Sequence, residues 1–139
     1  MRAFRRLSIV VAASALVAVG AGTAVWAQGE WKAPADAKNV KNPLAGKKDD
    51  KQTLASAKKL VETNCASCHG PGGKGNGPAA AALPPPKPAD WTSAKVAKET
   101  DGEIFWKISN GRGAMPPWKH LPENDRWAIV NYIRSLQKG

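Results

Sequence analysis

Cys65-Ala66-Ser67-Cys68-His69 is the stretch that decides how this chain folds. Its C-x-x-C-H spacing is the signature of c-type haem attachment. Two thiols separated by two residues can reach the two vinyl groups along one edge of a haem, and the histidine that follows can present a ring nitrogen to the iron. The motif therefore predicts one covalently bound haem c, with His69 as a ligand of its iron.

Other uses of paired cysteines fit this sequence less well. A thioredoxin-like C-x-x-C site needs a neighbouring βαβ pattern, and the sequence has no convincing strand. A structural zinc site needs four ligands, usually from two pairs, but the chain has two cysteines and two histidines, His69 and His120, with no second pair. A disulfide between residues three positions apart would close a tiny loop and stabilise little. Haem attachment is the favoured interpretation.

The second iron ligand is predicted to be Met115. The chain has two methionines, and Met1 lies in a predicted leader. Met115 follows glycines and precedes prolines in the stretch 111–118, where glycine permits close backbone approach and proline fixes the chain. Methionine is usually a filler of cores, but this one lies in a loop outside any predicted helix. Histidine and methionine together raise the potential of a haem and suit electron transfer.

The N-terminal residues predict export. Three arginines precede an uncharged run from 7 to 25, and Val25 and Ala27 provide the small residues that a signal peptidase reads. We therefore predict a signal peptide over residues 1–27 and a periplasmic location. A retained inner-membrane anchor is the alternative, because the run reaches the roughly 18 residues of a membrane-span candidate. In both cases the arginines stay on the cytoplasmic side and the haem domain faces the periplasm.

The charge of the chain bears on its partners. It has 21 lysine and arginine residues against 11 aspartate and glutamate residues, a formal net charge of +10. Such a carrier is expected to be steered towards redox partners with acidic docking surfaces, with association that slows in salt. Predicted export and the lack of a recognisable motif argue against nucleic acid. Contact with anionic lipid stays open, and membrane association through the N-terminal segment or through a partner complex is a further alternative.

The chain is predicted to contain one small all-α domain. Residues 28–51 are polar and interrupted by prolines, which predicts an extended arm or linker, with Trp31 as a contact to the domain at 52–139. The glycine- and proline-rich stretch 70–88 is longer than loops without a functional role usually are in a compact domain, and it is expected to wrap the haem. Such a small core needs the haem as its hydrophobic centre, so the haem-free protein is expected to be largely unfolded. Apolar periodicity and a capping box at Thr100 predict main helices over about 52–63, 100–110 and 123–137, with shorter turns near 79–83 and 93–98.

Several features in this order resemble the class I c-type cytochromes. They are the C-x-x-C-H motif, the Gly77-Pro78 pair, the Met115 loop and the aromatic C-terminal helix, which together cover about residues 53–136. The proline-rich stretch 84–88 is similar to that of periplasmic bacterial members. The resemblance implies a small cytochrome c fold with three main helices and long loops around one haem, and it implies that Tyr132 packs the last helix across the first.

The resemblance also implies a role for each residue of the site. Cys65 and Cys68 would carry the thioether bonds, and His69 and Met115 would be the proximal and distal iron ligands. The backbone carbonyl of Pro78 would accept a hydrogen bond from the other nitrogen of His69, orienting the ring and raising its basicity.

Electron transfer is the expected function, performed by a periplasmic carrier or by a subunit of a respiratory or dehydrogenase complex rather than by an enzyme in its own right. The alternative is a sensor or catalyst that binds CO or NO, if Met115 is not a firm ligand. The red absorption band of methionine-ligated ferric haem, and CO binding by the reduced form, would separate the two. Basic residues near the haem edge would guide docking, with the candidates Lys74, Lys87, Lys107 and Lys119.

Overall fold

The computed structural model describes residues 29–138. The predicted leader at 1–27 lies outside these residues. Within them the secondary structure is helical, without a strand, and the only β-type pairing is an isolated bridge between Arg112 and Met115. No helix of this part of the chain is long and apolar enough to cross a bilayer. The predicted all-α fold is confirmed.

Three long helices and several short turns make up the described part of the chain. The long helices lie within two residues of the bounds expected from the sequence. The α-helices are α1 (Lys51–Asn64), α2 (Ala66–His69), α3 (Ala94–Ala97), α4 (Asp101–Asn110) and α5 (Glu123–Leu136), and the 3₁₀ turns are Ala35–Asn39, Ala45–Lys47 and Ala80–Ala82.

Helix α1 leads directly into the C-x-x-C-H motif. The Asp50 carboxylate caps its first turn by accepting a hydrogen bond from the Thr53 N–H at 2.7 Å. Hydrogen bonds from Thr53 hold the pKa of Asp50 below its usual value. Ala57 and Val61 are fully buried on one face, and the Cys65 N–H donates to the Val61 carbonyl where the helix ends. The packed face of α1 therefore fixes the position of Cys65.

Helix α4 begins at the predicted capping box. The Thr100 hydroxyl accepts from the Glu103 N–H at 3.3 Å, and the Glu103 carboxylate accepts from the Thr100 N–H at 2.8 Å. The bond from the Thr100 backbone is the main cause that lowers the pKa of Glu103. Ile104 and Ile108 are buried on the inner face of the helix.

Helix α5 packs against both α1 and α4 and carries the largest share of the core. Val130 and Ile133 are buried on its inner face, and the Trp127 ring stacks on Phe105 of α4 with centroids 3.8 Å apart. Tyr132 is buried in the same core as Ala57 and Val61 of α1. These contacts fix the position of α4 relative to α5.

The N-terminal segment, residues 29–50, packs on the helices, which differs from the extended linker predicted from its composition. Asn131 on α5 is almost completely buried and needs hydrogen-bond partners. Asn42 supplies one by donating to the Asn131 side chain at 2.8 Å, and the Leu44 carbonyl accepts from Asn131 at 2.9 Å. A buried polar group on a distant helix therefore holds this polar segment in place.

Close backbone approach at Gly77 ties the loop after α2 to the C-x-x-C-H motif. The Gly77 N–H donates to the Cys68 carbonyl at 3.0 Å, and the Ala79 N–H donates to the Ser67 carbonyl at 2.9 Å. A Cβ added at Gly77 would overlap the carbonyl oxygens of Ala66 and Ser67. Only glycine fits at this position.

Gly77→Ala is expected to destabilise the haem-loaded protein by about 1–3 kcal/mol, because the loop must move off the motif to relieve the overlap. Gly72→Ala is the matched control: it lies in the same loop, and nothing lies within 4 Å of the added Cβ. Chemical unfolding of both variants, followed by far-UV circular dichroism, measures the difference. Equal stability of the two variants would contradict this account of the loop.

Candidate functional site

The C-x-x-C-H motif forms one wall of a cavity of about 240 Å³. Backbone N–H groups of Cys68 and His69 both donate to the Cys65 carbonyl, at 3.1 and 2.9 Å, and this turn brings all three side chains to the cavity. The two cysteines are half-buried and are not joined to each other. The structure thus brings together the three residues that the sequence motif singled out.

The state of the Cys65 thiol argues against thiolate chemistry. Burial, with a smaller contribution from Cys68, raises the pKa of Cys65 to about 11. Disulfide exchange requires the thiolate, so a thiol whose pKa is raised by burial disfavours the thioredoxin-like alternative. Residues 29–138 also contain no cluster of three or more histidine, cysteine or acidic side chains that could hold a metal ion.

The His69 ring is buried and held by two contacts. Its Nδ1 lies 3.1 Å from the Ala89 carbonyl oxygen, and its face stacks on Trp91 with centroids 4.5 Å apart. Because a carbonyl only accepts hydrogen bonds, Nδ1 carries the proton and Nε2 keeps the lone pair that a metal needs. Burial lowers the pKa of His69, and the bond to Ala89 opposes that change. The ring is therefore neutral and oriented.

The acceptor of the His69 hydrogen bond corrects the sequence prediction. Ala89, and not Pro78, accepts from the ring. The Trp91 N–H donates to the Gly73 carbonyl at 2.7 Å, which folds residues 89–91 back onto His69. Pro78 lies exposed on the turn whose neighbours bond to the backbone of the motif. No side-chain pattern marks a carbonyl acceptor in a sequence, so only the path of the loop reveals Ala89.

A tight turn carries Met115 to the same cavity. The Arg112 N–H donates to the Met115 carbonyl at 2.9 Å, and the Met115 N–H donates to the Arg112 carbonyl at 3.0 Å. The Trp118 N–H then donates to the Ile108 carbonyl of α4 at 3.1 Å, so the loop is fixed to the helix at its far end. Met115 is half-buried and lines the cavity.

The rest of the lining suits a large, flat, apolar group with a charged edge. Apolar side chains of the proline-rich loop, α4 and α5 line the cavity, and Glu99, Lys107 and Arg112 are its charged members. Lys107 forms a largely buried ion pair with Glu99. Two thiols, a neutral imidazole and a thioether in one apolar cavity are the donor set of a covalent haem, and these residues fit that group.

Several candidates from the sequence lie elsewhere. His120 is exposed and packs beside the Trp118 ring, with centroids 5.3 Å apart. The Lys87 ammonium donates to three backbone carbonyls, the closest being Leu83 at 2.7 Å. The stacking of Trp91 on His69 was not predicted from the sequence, where the available signal was an aromatic residue just after the proline-rich stretch.

The sequence family described as cytochrome C oxidase, cbb3-type, subunit III, matches residues 52–133. The chain belongs to this family. It is a class I c-type cytochrome, and its function is electron transfer by a covalently bound haem c with iron, as a carrier or as a complex subunit. It is an electron-transfer protein rather than an enzyme, and it works with redox partners.

Relatives of this cytochrome include both small proteins and parts of larger ones. It is 34% identical to cytochrome c6 of Cladophora glomerata over 60% of this chain and 89% of that protein. It is 31% identical to the Cbb3-type cytochrome c oxidase subunit CcoP of Azospirillum sp. (strain B510) over 69% of this chain, but it spans only 33% of CcoP.

A similar solved structure is a chain of a reducing HAO-like protein complex from Kuenenia stuttgartiensis, with a TM-score of 0.54 and 28% identity. The match covers 62% of this cytochrome and 44% of that chain.

Proposed function

We propose that Cys65 and Cys68 form the thioether bonds to the haem and that His69 and Met115 are the axial ligands of its iron. The observation that supports the proposal is a single apolar cavity lined by both thiols, the neutral His69 ring and the only thioether in residues 29–138. Each donor lies on an element that is independently held: α1 and α2 for the cysteines and His69, and the 112–115 turn for Met115.

Such a haem, when bound, supplies one-electron exchange between ferrous and ferric iron. The protein's part is to hold the donors still and keep water away. Ala89 and Trp91 keep Nε2 of His69 free and the ring in one orientation. The soft sulfur of Met115 favours the reduced state, which raises the potential. Two strong protein ligands leave little rearrangement between the oxidation states.

We further propose that the protein is exported to the periplasm and that residues 1–27 are a cleaved signal peptide. The arginine-flanked apolar run and its small-residue end support this proposal. Retention of the run as an inner-membrane anchor is the alternative. Both place the haem domain in the compartment where bacterial c-type haem is attached.

The basic charge supports docking on acidic partners, and we propose Lys74 and Lys119 as docking residues. Both are exposed. The Lys87 ammonium, by contrast, binds backbone carbonyls of its own loop, and Lys107 forms a largely buried ion pair with Glu99. Exposed lysines act on a partner mainly through steering of the encounter, which salt screens.

Mass spectrometry of protein recovered from a host that matures c-type haem tests the ligand and export proposals together. The intact mass is expected to equal a chain that begins at Gln28 plus one haem, and a peptide map is expected to locate the haem on Cys65 and Cys68. A chain of unmodified mass would contradict the haem assignment. A haem-bearing chain that starts at Met1 would contradict cleavage alone.

Oxidation of the reduced protein by an anionic complex such as ferricyanide tests the docking proposal. The rate is expected to fall several-fold as salt rises, and Lys74→Gln/Lys119→Gln is expected to slow it at low salt. Lys58→Gln/Lys59→Gln removes the same charge from the exposed face of α1 and is the matched control. Equal slowing by both double variants would assign the effect to net charge and contradict a local docking site.

A further inference from the structure

We propose that the N-terminal segment is a working part of the haem site: Trp31 closes one side of the cavity, and a bond from Arg112 to this segment braces the turn that carries Met115. The inference rests on the proposed ligation by Met115. The family match begins at residue 52, so the segment, residues 29–50, lies outside it. Trp31 and Arg112 are positioning residues in this proposal.

The base of the segment is anchored in the core. Asn42 donates both to Asn131, at 2.8 Å, and to the Asp101 carboxylate, at 2.9 Å. Asn131 returns a hydrogen bond to the Leu44 carbonyl at 2.9 Å and is only 1% exposed. A bond that satisfies a buried amide is costly to break, so the segment leaves the core in a fixed direction.

The middle of the segment, residues 37–40, packs in close backbone contact with the first turn of α4. Ala37 is buried there, 3% exposed. A Cβ added at Gly102 of α4 would overlap the carbonyl oxygen of Ala37 and come within 2.8 Å of that of Val40. Glycine at position 102 therefore permits the close backbone approach that directs the chain towards the cavity.

The tip of the segment, residues 29–31, reaches the cavity itself. Trp31 is half-buried and lines it together with Met115 and Lys107. The Lys107 ammonium lies 5.4 Å from the centre of the Trp31 ring, within the range of a cation–π contact. A tryptophan at this place covers apolar area that would otherwise meet water.

Arg112 joins this tip to the proposed iron ligand. Its guanidinium donates to the Gly29 carbonyl at 2.9 Å, while its backbone exchanges two hydrogen bonds with Met115. Of the three charged residues in the cavity lining, two thus contact the tip: Lys107 through the Trp31 ring and Arg112 through Gly29. Removing the tip is expected to admit water at this edge and to loosen the turn that holds Met115.

The test measures how easily an external ligand displaces Met115 from ferric haem in the full-length holoprotein. Imidazole affinity is expected to rise about tenfold in Trp31→Ala and in Arg112→Ala, since each loses one contact of the tip. In the double variant the increase in imidazole affinity is expected to be well below the product of the increases in the two single variants, because both substitutions disrupt the same contact between the tip and the Met115 turn. Trp31→Phe is expected to restore most of the wild-type affinity, and Lys32→Ala, an exposed neighbour, is the control.

Three outcomes would overturn the inference. The first is an imidazole affinity in Trp31→Ala equal to that of Lys32→Ala. The second is a fully multiplicative rise in the double variant. The third is a rise that accompanies loss of cooperative unfolding, which would indicate general loosening. Failure of the ligand proposal gives a different result: the wild-type ferric protein would itself lack the red band of methionine ligation, before any variant is compared.

Discussion

Cys65→Ala/Cys68→Ala is expected to remove all covalent haem and to abolish cooperative unfolding. Without the haem, the apolar side chains of α4, α5 and the proline-rich loop would surround a cavity of about 240 Å³. These side chains would then meet water, and the hydrophobic stabilisation from their burial against the haem would be lost. Small domains have a total stability of about 5–15 kcal/mol, so the haem-free chain is left near or below the threshold of folding.

Ser67→Ala is the control for this variant. Ser67 lies between the two cysteines, is exposed and does not line the cavity, and its hydroxyl makes one long contact, 3.8 Å, with the Cys68 sulfur. Ser67→Ala is expected to keep one haem per chain and a sharp thermal transition. Absorption spectroscopy after denaturation counts the haem, and far-UV circular dichroism during heating follows the fold. A cooperative transition in the haem-free double variant would show that the helices make a sufficient core by themselves.

Local signals explain why the sequence predicts the three long helices. The capping box at Thr100 acts within three residues of itself, and the structure contains it. Buried faces such as Ala57 and Val61 on α1 repeat at helical spacing, which the sequence displays directly. These features need no knowledge of the rest of the chain.

Long-range contacts explain what the sequence did not reveal. Residues 29–50 have a polar composition typical of a solvated linker, yet their partners Asn131 and Gly102 lie on helices far along the chain. A pattern read over a short window cannot link an asparagine near the N terminus to a buried one on the last helix. The packing of this segment is therefore visible only in three dimensions.

The same reason accounts for the partners of His69. The C-x-x-C-H motif identifies the ring, but any backbone carbonyl of the following loop could accept its hydrogen bond. The contact between Trp91 and Gly73 selects Ala89 over Pro78. Lys87 is a similar case, since the lysine that looked available for docking binds the carbonyls of its own loop. Side-chain types define the candidate donors, and loop paths define which atoms they meet.

Met115→Ala is expected to open the iron to outside ligands while leaving the haem attached. The 112–115 turn is closed by backbone bonds, so it can persist without the thioether. The red absorption band of the ferric protein is expected to disappear, and the reduced protein is expected to bind CO. The reduction potential is expected to fall by on the order of 0.2 V, since methionine ligation raises it and axial ligands span about 0.8 V in all.

His120→Ala is the control. His120 is exposed, lies five residues after Met115 and is the histidine that is not the proposed proximal ligand. This variant is expected to leave the band, the potential and the lack of CO binding unchanged. A wild-type protein that already binds CO rapidly and lacks the band would favour the sensor or catalyst alternative. A wild-type protein that lacks the band, and whose reduced form binds CO only after His120→Ala, would transfer the distal position to the histidine. An apolar cavity with one thioether on a closed turn leads us to expect neither result, because His120 is exposed and is not among the residues that line the cavity.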